Sequence, residues 1–181
     1  MVRKEIIQSS RILIVDDNAS NLMLLEAVLE EGGYTNFSKT TDPRQVLEFF
    51  NVYQPDLIML DLMMPYLDGF SLMTQLRSRI PDNTYLPILV LTANVAHDAR
   101  KKALSLGAKD FLTKPFDNSE VLLRTYNLLE TRWFYLQIQQ QVERLEDQSA
   151  EWERMAREVG VAETHLEQIR QRLRTNLGSS P

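Results

Sequence analysis

The chain of 181 residues contains no cysteine, so it has neither a disulfide framework nor a thiolate metal site. Its only two histidines, His97 and His165, fall in separate helical stretches with no second ligand nearby in sequence. No apolar run approaches the roughly 18 residues of a membrane span. The N-terminal stretch MVRKEIIQSS lacks the apolar segment of a secretory signal. A strongly basic region is also missing. Up to Glu130 there are 13 basic and 17 acidic residues, and after it 7 and 8. That balance argues against nucleic acid as the main partner. Together these absences lead us to expect a cytoplasmic protein with no membrane attachment.

What is present suits a packed core. The chain is 44% hydrophobic and 25% charged, which is the range of ordinary globular domains. Its length fits one domain plus an extension. The organising stretch is PDLIMLDLMMPYLDG, residues 55–69. Leu57, Ile58, Met59 and Leu60 read as a strand buried on both faces of a parallel sheet. The run ends at Asp61, and Pro65 with Asp68-Gly69 then imposes a loop. Taken alone, the segment is also compatible with a strand followed by an ordinary acidic loop.

The rest of the chain repeats the pattern. Residues 1–10 read as a short arm. Residues 11–15 form an apolar strand ending in Asp16-Asp17. A helix with Leu22, Leu25, Val28 and Leu29 on one face follows, and Gly32-Gly33 stops it. A weaker strand covers 34–40. Asp42-Pro43 opens a helix with Val46, Leu47, Phe49 and Phe50 inward. After the strand at Asp61 come a helix over 69–79 and a strand over 87–91 that ends at Thr92. A weakly amphipathic helix spans 95–106, and a fifth strand, 109–113, ends at Lys114-Pro115. Asp117 and Glu120 form a capping-box pattern for the last helix. Five strand–helix repeats with short loops predict a doubly wound parallel α/β sheet. In such a sheet all strand C-termini share one edge. Asp16, Asp17, Asp61, Thr92 and Lys114 therefore converge there, although they are far apart in sequence.

Three carboxylates in contact do not all ionise cheaply without a cation. Oxygen donors without imidazole or thiolate suit magnesium, which commonly binds one or two carboxylates plus a phosphate. Lys114 would neutralise a phosphoryl oxygen, the Thr92 hydroxyl would donate to another, and Asp61 would be the nucleophile that forms an aspartyl phosphate. Singly, each residue has a plainer reading. Asp16 or Asp17 could cap a helix, Thr92 could be a strand-end hydroxyl, and Lys114 could be a surface lysine.

The motifs VDD (15–17), LDLMMPYLDG (60–69), LTA (91–93) and KPF (114–116) resemble the receiver domain of two-component response regulators. The resemblance covers roughly residues 9–130. It implies the flavodoxin-like strand order 2-1-3-4-5. It also implies Asp61 as phosphoacceptor, with a sensor histidine kinase or phosphotransfer protein as donor. Asp17, Asp61 and the backbone carbonyl of Met63 would ligate Mg2+, with Asp16 acting mainly through water. Thr92 and Phe111 would be the switch pair, although a core aromatic would look the same as Phe111. A cis Lys114-Pro115 peptide is implied as well. Such a protein accepts and slowly loses its phosphoryl group without being an enzyme in the ordinary sense.

From Leu128 onward an apolar seam, interrupted by the polar Thr131 and Ser149, steps by three and four through Leu128, Thr131, Tyr135, Ile138, Val142, Leu145, Ser149, Trp152, Ala156 and Val159. No proline interrupts it, so the last receiver helix should run unbroken into a coiled coil over 131–177, most simply a parallel homodimer. At Gly160 the step shortens, and Ala162, Leu166, Ile169 and Leu173 follow after a stammer. A bend or a hairpin there, or a helix folded back on its own receiver, is the alternative. The stretch ETRWFYLQIQQQVERLE resembles linkers of regulators that carry HD-GYP or GGDEF domains. The chain would then be the regulatory part of a longer cyclic-di-GMP phosphodiesterase or cyclase, or a scaffold whose tail recruits a partner. His165 reads as a solvated helix position, with a phosphotransfer histidine as the sharper alternative.

Overall fold

The computed structural model describes residues 2–81, 83–93 and 97–158, together with 168 and 171. The chain divides into two compact units, Met1–Tyr135 and Leu136–Pro181.

The first unit holds a five-stranded parallel sheet. Its strands are β1 (Ile12–Val15), β2 (Phe37–Thr40), β3 (Leu57–Asp61), β4 (Ile88–Thr92) and β5 (Asp110–Thr113), in spatial order β2-β1-β3-β4-β5. The helices are α1 (Val2–Gln8), α2 (Ala19–Glu31), α3 (Val46–Tyr53), α4 (Gly69–Arg77), α5 (His97–Ser105) and α6 (Asn118–Glu158). This is the doubly wound, flavodoxin-like arrangement. β1, β3 and β4 are buried at every position, so their sequences are apolar throughout instead of alternating. The side chains still alternate between faces. Ile12, Ile14, Leu57, Met59, Leu89 and Leu91 pack with α2, with Val121 and Leu128 of α6, and with Ile7 of α1. Leu13, Val15, Ile58, Leu60 and Val90 pack with Val46, Leu72, Met73, Leu76 and Ala103 of α3, α4 and α5.

Three local features differ from expectation. Residues 2–8 form a helix in place of an arm. Ile7 is buried against the core, and Gln8 Nε2 donates to the Gly32 carbonyl at 2.6 Å, so tertiary contact orders a segment too short to be helical alone. Asp42 does cap its neighbour, but the segment starts as a 3-10 turn over Pro43–Gln45 before α3 begins. The Asp117 carboxylate accepts the Glu120 N–H at 2.9 Å, which is half of a capping box. The Glu120 carboxylate turns instead to Arg124, with Nε–O 2.8 Å.

α6 is a single helix of 41 residues. Gly160, the seam beyond it at Ala162, Leu166, Ile169 and Leu173, and His165 lie outside the described residues. Among the described residues no helix is long and apolar enough to cross a membrane.

Candidate functional site

The site is assembled by the register of the sheet. Asp61 pairs with Leu91, and Thr92 pairs with Thr113. Val15, which precedes Asp16, pairs with Leu60. Parallel pairing therefore carries the residues that follow each strand to one edge. Asp16 and Asp61 are buried there, and Asp17 is exposed. Each of the three offers an oxygen within 4.8 Å of the others. Lys114 Nζ donates to Asp16 Oδ2 and to Asp61 Oδ2, both at 2.7 Å.

The electrostatics of this cluster are unbalanced. Burial pushes the Asp61 carboxyl above the ordinary carboxylate value. Lys114 and the Met63 N–H (3.2 Å) pull it down, and the charge of Asp16 pushes it up again. Burial alone would lower the Lys114 ammonium, but hydrogen bonds and charge from Asp16 and Asp61 hold it above the usual lysine value. One ammonium thus serves two buried carboxylates while a third stands close by. Addition of a divalent cation would relieve that excess of negative charge.

Asp16 and Asp17 are not equivalent. Asp16 Oδ1 accepts the Asn18 N–H at 3.0 Å, and Asn21 Nδ2 reaches both of its oxygens at 3.0 and 3.1 Å. With Lys114 on Oδ2, both oxygens of Asp16 are occupied. Among the described residues none donates to the carboxylate of Asp17. The donor set is all oxygen, which fits Mg2+, and Asp17 retains the lone pairs that a direct ligand needs.

The loop after β3 brings its own constraint. A Cβ at Gly69 would lie 2.5 Å from the Asp61 carbonyl oxygen and 2.7 Å from Leu62 Cα. Glycine there lets α4 start against the end of β3, and the Gly69 N–H donates to the Leu62 carbonyl at 3.0 Å. Asp68 caps α4 by accepting the Ser71 N–H at 2.9 Å. The side chain of Met63 is exposed, and its N–H donates to Asp61 Oδ1 at 3.2 Å.

Thr92 is buried at the end of β4. Phe111 pairs with Val90 on the neighbouring strand. It is half-buried, and the guanidinium carbons of Arg100 and Arg124 lie 4.0 and 5.7 Å from its ring centroid. The ring also packs against the core cluster on that side of the sheet. The Lys114-Pro115 peptide is cis.

Sequence reasoning missed Asn21, which orients Asp16, and the close approach at Gly69. An amide five residues after Asp16, on the first turn of the following helix, was a faint signal for the first. The second had none, because a glycine after an aspartate reads equally well as a turn.

Comparison with known proteins agrees with this architecture. Residues 12–126 match the response regulator receiver domain family. The alkaline phosphatase synthesis transcriptional regulatory protein PhoP of Bacillus subtilis is 39% identical over 121 residues, covering 67% of this chain and 49% of its own. The chain thus spans about half the length of that curated relative. A putative response regulator from Chloroflexus aurantiacus superposes with a TM-score of 0.62 at 33% identity, covering 67% of this chain and 98% of that one. The receiver domain of sensor histidine kinase PA1611 from Pseudomonas aeruginosa has a TM-score of 0.59 at 30% identity, with coverage of 67% and 98%. It was solved with a magnesium ion coordinated in its active site cleft.

Proposed function

The chain belongs to the response regulator receiver family, and from that premise we propose that Asp61 is its phosphoacceptor, loaded from a sensor histidine kinase or phosphotransfer protein. A carboxylate oxygen of Asp61 attacks the phosphorus of a phosphohistidine. The new O–P bond forms as the P–N bond breaks, and the imidazole nitrogen leaves with the electron pair and takes up a proton. The observation that carries this reading is Lys114 Nζ at 2.7 Å from both Asp16 and Asp61. In this reading the ammonium neutralises a phosphoryl oxygen arriving at Asp61, and the Thr92 hydroxyl donates to another.

Asp17, Asp61 and the Met63 carbonyl would hold Mg2+, with Asp16 behind them. When bound, the ion supplies positive charge against the phosphoryl oxygens and the acidic cluster. Holding Asp16 in place falls to Asn21 and the Asn18 N–H. The protein is a participant in phosphoryl transfer with slow loss of its own phosphate, and not an enzyme with a separate substrate. Thr92 and Phe111 act as the switch. Rearrangement of Phe111 would disturb the Arg100 and Arg124 contacts at β5 and the base of α6. The output is a change in α6, paired with a second copy through its exposed seam, in the cytoplasm and without nucleic acid or membrane.

The test is phosphoryl uptake from acetyl phosphate or phosphoramidate, followed by intact-protein mass spectrometry. Wild type should gain one phosphoryl group with Mg2+ and none with a chelator. Asp61→Asn should gain none. Uptake by Asp61→Asn at the wild-type rate would move the acceptor elsewhere.

A further inference from the structure

Along α6, Ile138, Val142, Leu145 and Trp152 are 62%, 44%, 57% and 70% exposed. Ser149 and Ala156 complete the alternating three- and four-residue steps between and after them. The helix therefore presents an apolar row with heptad spacing, which needs a partner surface of the same geometry. The residues flanking the row decide which partner fits. One flank carries Gln139, Glu146 and Glu153, and the other carries Gln141, Gln148 and Met155. All the charge beside the row is negative and lies on one flank.

We propose that residues 138–156 of α6 pair with the same stretch of a second copy, parallel and in register. This rests on the helix-pair output described above and gives it a geometry. In a parallel pair each flank meets the opposite flank of the partner helix. Glu146 then faces Gln141 of the second copy, and Glu153 faces Gln148, so each carboxylate meets an amide donor. In an antiparallel pair like flanks meet, and Glu146 and Glu153 confront the carboxylates of the other copy. Ser149 fixes the register. In register its hydroxyl meets the other Ser149, whereas a one-heptad slip sets it against Val142 or Ala156. A polar residue within an apolar seam selects alignment in this way. A partner of different sequence would need donors along the acidic flank. The chain itself already supplies them in Gln141 and Gln148.

The absence of native cysteine makes cross-linking a clean test. Val142→Cys and Ala156→Cys, made singly in the full chain, should each give a disulfide-linked dimer under mild oxidation. Glu143→Cys, beside the row on the outer surface, should not. The two seam positions lie two heptads apart, about 21 Å along the helix. An antiparallel pair lets a residue meet its own copy at one level only, so cross-linking at one position or neither overturns the proposal. A second readout has opposite signs for the two geometries. Combined Gln141→Lys and Gln148→Lys sets lysine against glutamate in the parallel pair and should tighten it about tenfold. In the antiparallel pair lysine would meet lysine and the dimer would loosen, which overturns the proposal. Sedimentation equilibrium reads that change. A wild-type chain that sediments as a monomer overturns the helix pairing itself, whereas a dimer without both cross-links overturns only its geometry.

Discussion

Asp56 and Asp61 stand at the two ends of β3, and both are largely withdrawn from solvent, yet their surroundings treat the negative charge in opposite ways. At the N-terminal edge of the sheet, Asp56 Oδ2 accepts the Arg11 N–H at 3.0 Å and Arg11 Nε at 3.3 Å, and Oδ1 accepts Arg132 Nε at 3.1 Å. Burial pushes its carboxyl up, but these donors and the charge of Arg132 outweigh burial and hold it below the ordinary value of 3.8. At the C-terminal edge Asp61 shares a single ammonium with Asp16 and ends above 3.8. Burial is common to both. What differs is the count of donors and the sign of the nearest neighbours. One edge is a finished ion-pair network that fastens α6, through Arg132, to the strand starts, with Arg132 also donating to the Tyr85 carbonyl. The other edge is held short of positive charge, a deficit that a bound cation would relieve.

The largest effect should come from breaking the finished edge. Asp56→Ala leaves Arg11 and Arg132 without their shared carboxylate and should cost about 3 kcal/mol in urea unfolding, with Mg2+-dependent phosphoryl uptake retained. A loss below about 0.5 kcal/mol would mean that the network is screened like a surface pair.

Gly69→Ala should follow, at roughly 2 kcal/mol, because the added methyl group meets backbone atoms that yield little. Here uptake should fall as well, since the shift is transmitted to the main chain at Asp61 and Leu62. Loss of stability with uptake unchanged would separate the loop from the site.

Magnesium should distinguish the neighbouring acids of the unfinished edge. Asp17→Ala should weaken Mg2+ binding about tenfold or more in calorimetric titration, and Asp16→Ala distinctly less. Asp16 is already occupied by Asn18, Asn21 and Lys114, while Asp17 has its oxygens to give. Equal affinities for the two variants would reverse the assignment of direct and indirect ligand.

The smallest effect is a gain. Without Mg2+, Asp61→Asn should raise stability by up to about 1 kcal/mol, because the folded protein favours the uncharged form of that side chain. The sign follows from linkage. A carboxyl raised on folding destabilises as it ionises, so the gain should be absent well below pH 3.8 and should grow as pH rises from there through the folded-state value. Asp56 is lowered on folding, so its contribution is fully present above 3.8 and disappears as pH falls through its lower folded value. Urea midpoints of Asp61→Asn and Asp56→Asn across pH 3 to 7 should therefore diverge from wild type in opposite directions. Parallel curves would abolish the contrast between the two edges.

Legibility in the sequence followed the same division. β1, β3 and β4 were readable because full burial makes a strand apolar at every position, and the polar residue that ends each run marks the sheet edge. Asp16, Asp17, Asp61 and Thr92 mark the ends of those runs, and Lys114 follows the less buried β5. Asp56 was not singled out, because a lone acid after proline carries no pattern. Arg132 was hidden because it falls in a helix where an arginine reads as solvated surface. α1 was missed for a related reason: seven residues have too few apolar positions to establish a period, and only the pocket around Ile7 makes them a helix.

The sequence by itself determined the repeat of strand and helix, the parallel sheet and the identity of the residues on its C-terminal edge, since burial and chain direction act locally and leave a written pattern. Only the tertiary structure decided how those residues are charged relative to one another. One lysine lies between two buried carboxylates at 2.7 Å, while two arginines close on a single carboxylate at the opposite edge. Electrostatic balance depends on distances between side chains brought together from different elements, and no spacing along the chain encodes those distances.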